Sequence, residues 1–127
     1  MARILVIDDD LLFLRSLELL LGTAGHEVAT ATDGLKASRS FRADPFDLVI
    51  TDIFMPNREG IETIVTLRRE FPGIEVIAMS GGSAMSATFL KAAAHLGARR
   101  TLSKPFTSQQ LHSAIAEALA ASRATTA

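Results

Sequence analysis

Short runs rich in valine and isoleucine alternate along this chain with segments whose apolar residues recur every three or four positions. That alternation restricts the fold more than any other feature. The runs are Ile4–Ile7, Glu27–Ala31, Leu48–Ile50, Ile74–Met79 and the weaker Arg99–Leu102. They lack strict polar alternation, as strands buried on both faces do. Leu14, Leu17 and Leu21 carry helical spacing, as do Ile61, Ile64 and Leu67, and again Leu111, Ile115 and Leu119. Strands alternating with helices imply a parallel sheet covered on both faces, joined by right-handed crossovers.

The breaks between elements agree with this pattern. Gly25, in "TAGHE", suits the end of the first helix. "DPFD" and "FPGIE" interrupt the chain before the third and fourth strands. Thr107 and Gln110 have the spacing of a capping box, flanked by Phe106 and Leu111 as a hydrophobic staple, and Pro105 keeps that last helix from starting earlier. The whole reads as five βα units in one α/β domain, a doubly wound parallel sheet of flavodoxin-like strand order 2-1-3-4-5. Residues 1–121 are assigned to that domain, and 122–127, with little to bury, are expected to fray.

Composition removes several classes of function. The 127 residues are enough for one domain with its own core, and 48% are hydrophobic against 21% charged. Cysteine is absent, so disulfides, thiol nucleophiles and thiolate zinc sites are out of reach. A net charge of -1 gives no basic field for nucleic acid or an anionic membrane. No apolar run nears the roughly 20 residues of a membrane span, and no signal-peptide pattern opens the chain. The cytoplasm is the expected compartment.

Open parallel sheets bind ligands outside the carboxyl ends of their strands. The first strand is followed by Asp8, Asp9 and Asp10, the third by Asp52, the fourth by Ser80 and the fifth by Lys104. Clustered carboxylates do not all ionise cheaply without a partner. A hard cation such as magnesium, or manganese in its place, relieves them and leaves open positions for phosphoryl oxygens. Lys104 can neutralise a phosphoryl group and Ser80 can hydrogen-bond it, while an aspartate can be the nucleophile itself. Asp52, alone on a central strand, is the candidate for that role. Taken singly, each residue has a plainer reading. Asp10 reads as the N-cap of the first helix. Asp44, Asp47 and Glu59 read as caps or turn residues. His26, His95 and His112 have no ligand or triad spacing and receive no role. Phe41, Phe71, Phe89 and Met79 read as packing residues.

In combination, "VIDDD", "DLVITDIFMP", "IAMSGG" and "SKPF" resemble the receiver domain of two-component response regulators, from Arg3 to about Ala120. The resemblance implies that Asp52 is the phosphoacceptor, with Ser80 and Lys104 as its hydroxyl and lysine partners. It implies magnesium held by Asp9 directly, by Asp8 largely through water, by Asp52, and by the backbone carbonyl of Phe54. It also implies a cis Lys104–Pro105 bond. The phosphoryl donor would be a histidine kinase or a phosphotransfer protein. The downstream partner would be an effector protein meeting the fourth helix, fifth strand and fifth helix. A homodimer through that face is one expected form, and direct contact with nucleic acid or membrane is not expected. Such a domain catalyses its own phosphorylation and dephosphorylation but turns over no separate substrate.

Thr101 departs from the family pattern, because receivers usually carry Tyr, Phe or His at this switch position. The relay through a moving ring is thereby placed in question. Phe54, beside the acceptor, is expected to restrict water and slow hydrolysis, and Gly82 offers no side chain to orient it. The alternative reading is a degenerate receiver that acts as an interaction module independent of phosphorylation. An FMN-binding flavodoxin fits less well, since three acids stand where a phosphate loop would be and no Trp or Tyr could stack on the flavin. A haloacid-dehalogenase-type phosphatase would want a second aspartate where Phe54 stands.

Overall fold

A computed structural model describes residues 2–33, 36, 39, 45–53, 59–81 and 86–126, with the backbone alone at 59–61, 86–90 and 122–126. Its elements in chain order are β1 (Arg3–Ile7), α1 (Leu11–Thr23), β2 (Glu27–Ala31), β3 (Leu48–Asp52), α2 (Glu59–Glu70), β4 (Glu75–Ser80), α3 (Ser86–His95), β5 (Arg100–Ser103) and α4 (Ser108–Thr126). The helix expected between the second and third strands lies mostly outside the described residues. What would be the fourth and fifth helices of a five-unit fold are therefore α3 and α4 here.

The five strands form one parallel sheet in the order β2-β1-β3-β4-β5, as the sequence predicts. Successive strand side chains point to opposite faces, and here both faces are buried. Ile4 and Val6 of β1, Leu48 and Ile50 of β3, and Ile77 and Met79 of β4 enter one core. Leu14, Leu17 and Leu21 of α1 cover it, together with Leu111, Ala114, Ile115 and Ala118 of α4. The alternate residues Leu5, Ile7, Val49, Val76 and Ala78 enter a second core under Ile64 and Leu67 of α2 and Ala93 of α3. This two-sided burial explains why the strands read as unbroken apolar runs rather than alternating ones.

The element ends show local chemistry deciding structure. Asp10 caps α1, its Oδ1 accepting from the backbone N–H of Leu12 at 3.0 Å and of Phe13 at 3.2 Å. Gly25, at φ +93°, makes the left-handed turn between α1 and β2. Thr107 and Gln110 form the reciprocal capping box at 2.8 and 3.0 Å. Asp47 ties the start of β3 to β1, accepting from the Arg3 N–H at 2.8 Å.

Several boundaries differ from the sequence reading. β3 and β4 run on into polar residues, because Asp52 still pairs with Met79 and Ser80 with Ser103. Ladder hydrogen bonds use the backbone and tolerate a polar side chain at a strand end. β5 is accordingly Arg100–Ser103 rather than Arg99–Leu102, and Arg99 instead places its guanidinium on the buried Glu75 at 3.1 Å. The last helix, α4, is described as far as Thr126. Among the described residues no helix is long and apolar enough to cross a membrane.

Two leucines of α1 in opposite environments separate packing from propensity. Leu21 is fully buried and Leu19 is 70% exposed. Urea unfolding of Leu21→Ala is expected to show a loss of about 2–5 kcal/mol, and Leu19→Ala a change of about 0.5 kcal/mol or less.

Candidate functional site

The carboxyl ends of β1, β3, β4 and β5 bring the strand-end residues together. Asp8 follows β1 and is fully buried, while Asp52 closes β3 and Ser80 closes β4, both buried. Lys104 arrives from the turn after β5. Its backbone N–H donates to the Ser80 carbonyl at 2.7 Å, so the chain leaves β5 alongside the end of β4. The Lys104–Pro105 peptide is cis, as the family resemblance implies. From this position Nζ donates to Asp8 Oδ2 at 2.6 Å and to Asp52 Oδ2 at 2.7 Å. One ammonium thus bridges two carboxylates that are remote in sequence.

Asp8 is held on both sides. Its backbone N–H donates to the Ala31 carbonyl at 3.1 Å, extending the β1–β2 ladder by one residue. Its Oδ1 accepts from the Asp10 N–H at 2.9 Å, while Oδ2 takes Lys104. Asp9 stays exposed beside it. One oxygen from each of Asp8, Asp9 and Asp52 lies within 4.8 Å of the others. The three acids of "VIDDD" therefore separate into a buried anchor, an exposed carboxylate and a helix cap.

Two titrations are displaced for physical reasons. Desolvation raises the Asp9 carboxyl above its usual range, and hydrogen bonding to and repulsion from Asp8 push the same way. Burial alone would lower the Lys104 ammonium, but its bonds to Asp52 and Asp8 outweigh that and hold it above its ordinary value. All the offered ligands are oxygens, and they carry more negative charge than one lysine cancels. That donor set fits a hard divalent cation, with Asp9 the freest ligand and Asp8 already committed to two donors.

The remaining sequence-derived candidates divide. The Ser80 hydroxyl is fully buried at the same strand ends and makes a long 3.4 Å contact to the Gly81 carbonyl. Thr101 lies within β5, paired with Ala78 and half-buried, with no aromatic ring at that position. Phe54 and Gly82 lie outside the described residues. His26, given no role from sequence, accepts the Ala2 N–H through Nδ1 at 3.2 Å, and burial lowers its pKa. Sequence reasoning missed Phe13, whose ring lies under the Lys104 ammonium. Its only sequence signal is an aromatic in the first turn after the acids, and helix packing explains that equally well.

Comparison with known proteins gives one answer. A family model described as the response regulator receiver domain matches residues 4–116. The transcriptional regulatory protein ZraR of Klebsiella oxytoca is 38% identical over 120 residues, covering 94% of this chain and 27% of that protein. The transcriptional regulatory protein PrrA of Mycobacterium tuberculosis is 38% identical over 109 residues, covering 86% of this chain and 46% of its own length. The chain thus spans between about a quarter and a half of these relatives. A solved receiver domain protein from Clostridium thermocellum superposes with a TM-score of 0.89 at 32% identity, covering 98% of this chain and 99% of its own. The beryllofluoride-activated NtrC4 receiver domain dimer gives a TM-score of 0.85 at 26% identity, covering 94% and 98%.

The raised carboxyl of Asp9 fixes the sign of a stability effect. An acid harder to ionise folded than unfolded opposes folding once the pH exceeds its unfolded value near 3.8. Asp9→Asn is therefore expected to raise the metal-free melting midpoint at pH 7 by about 2 °C, the scale of a solvent-screened contact worth about 0.5 kcal/mol. The gain should vanish on melting well below the unfolded value, where both forms are neutral.

Proposed function

The chain belongs to the response regulator receiver domain family, and from that premise we propose that it is a phosphorylatable switch whose acceptor is Asp52. The observation that carries this reading is the Lys104 ammonium shared between Asp52 and Asp8 at the end of the sheet. It supplies positive charge beside a candidate nucleophile that is itself buried.

The donor would be the phosphohistidine of a kinase or phosphotransfer protein. A carboxylate oxygen of Asp52 attacks phosphorus, the new O–P bond forms as the N–P bond breaks, and the electron pair stays on the donor's ring nitrogen. Lys104 neutralises charge on the transferring group, and the Ser80 hydroxyl can turn from its long contact with Gly81 to donate a hydrogen bond. Asp8 holds Lys104 in register. A magnesium or manganese ion held by Asp8, Asp9 and Asp52 would supply further positive charge for the phosphoryl oxygens. The commitment of both Asp8 oxygens supports Asp8 acting through water rather than as a direct ligand. No separate substrate is turned over.

The output would be a change of protein contacts on the α3–β5–α4 face. The relatives named as transcriptional regulators are longer than this chain, so DNA contact would belong to segments other than these residues. Thr101 favours, as a second reading, a receiver whose partner sets its state without phosphate.

A small phosphoryl donor such as acetyl phosphate separates the two readings by intact mass. Wild type with magnesium is expected to gain one phosphoryl group, Asp52→Ala to gain none, and chelation to suppress the gain. Unmodified wild type under these conditions would overturn the phosphoacceptor reading and favour the second.

A further inference from the structure

The phosphoryl reading uses two of the contacts that Lys104 makes and leaves a third unexplained. Nζ stands 4.2 Å from the centroid of the Phe13 ring, while the same nitrogen bonds Asp8 and Asp52. An ammonium has three N–H donors. The two carboxylates account for two of them, and the negative face of the ring lies within cation–π range of the nitrogen.

Phe13 is fixed from both ends. Its backbone N–H donates to Asp10 Oδ1 at 3.2 Å, in the cap that starts α1. Its ring meets Phe106 edge-to-face, with centroids 6.0 Å apart and planes at 85°. Phe106 lies two residues past Lys104 in the chain, and both rings pack, partly buried, on the core under α1 and α4. The turn that delivers the lysine therefore also delivers the ring that braces Phe13.

We propose that Phe13 is a positioning residue for Lys104, its ring holding the ammonium at the edge of the two carboxylates without cancelling its charge. This rests on the reading of Asp52 as phosphoacceptor. A carboxylate at position 13 would compete with Asp52 for the ammonium. An aliphatic side chain would keep the desolvation and offer no attraction in return. The aromatic face attracts the cation and leaves it a full positive charge, available to a phosphoryl oxygen when Asp52 is modified.

The test uses the full chain with Phe13→Leu, Phe13→Met as a second apolar variant, and Phe13→Tyr as the conservative one. Two quantities are read. One is the rate of phosphorylation by acetyl phosphate with magnesium. The other is the NMR shift of the Lys104 ε-methylene protons in metal-free protein, which a ring at this distance moves upfield. Phe13→Leu is expected to slow phosphorylation about three- to tenfold and to abolish the upfield shift, with Phe13→Tyr restoring both. In a Lys104→Met background the same Phe13→Leu change should add no further loss, since the group it positions is gone. An unchanged rate in Phe13→Leu, or a loss that persists undiminished without Lys104, overturns the proposal. If wild type accepts no phosphoryl group, the acceptor reading fails, and the methylene shift alone decides the ring. An upfield shift lost in Phe13→Leu then supports the placement, and an ordinary shift in wild type overturns it.

Discussion

One ammonium between two buried carboxylates organises this molecule's functional end. Removing Asp8 and Asp52 from water is costly unless a counter-charge accompanies them, and Lys104 provides it at 2.6 and 2.7 Å. Each neighbouring feature follows from delivering that charge. The turn after β5 must bring the lysine back over β4, which it does through the Lys104 N–H on the Ser80 carbonyl. The ammonium must also be held against its own desolvation, which the carboxylates achieve and the Phe13 face assists. The charge balance is incomplete, and Asp9, the exposed member of the group, is made reluctant to ionise by desolvation first and by Asp8 beside it second.

The sheet makes this arrangement affordable. It is packed on both faces, so two apolar layers underlie the charged end. Parallel pairing then presents all the carboxyl ends on one side. Four strands contribute a group each, and the ladder continues to Asp52 and Ser80 themselves. Backbone pairing, rather than side-chain packing, fixes where Asp52 and the Ser80 hydroxyl stand.

Much of this was legible in the chain because its signals are periodic or local. Val- and Ile-rich runs specify buried strands, and the order 2-1-3-4-5 followed from their alternation with helices. Asp10, Thr107 and Gln110 act on backbone within three residues of themselves, so their capping roles could be read directly. Element ends were less legible. Asp52 and Ser80 read as the residues just past their strands, because polarity hides strand character. The partnership of Phe13 with Lys104 was not readable. It joins the first helix to the last turn of the sheet, and no spacing rule links two such residues. The functional reading came from the residue types at the four strand ends, and the geometry added which oxygen faces which donor.

The most direct measurement is a crystal structure of the protein with magnesium and beryllofluoride. The expected result is beryllium bonded to an Asp52 oxygen, a fluorine within hydrogen-bonding distance of Lys104 Nζ and another near the Ser80 hydroxyl, with magnesium against Asp9. Lys104 still bridging Asp8 and Asp52, with no beryllofluoride on Asp52 at saturating concentration, would contradict the assignment of this end of the sheet as a phosphoryl-accepting site.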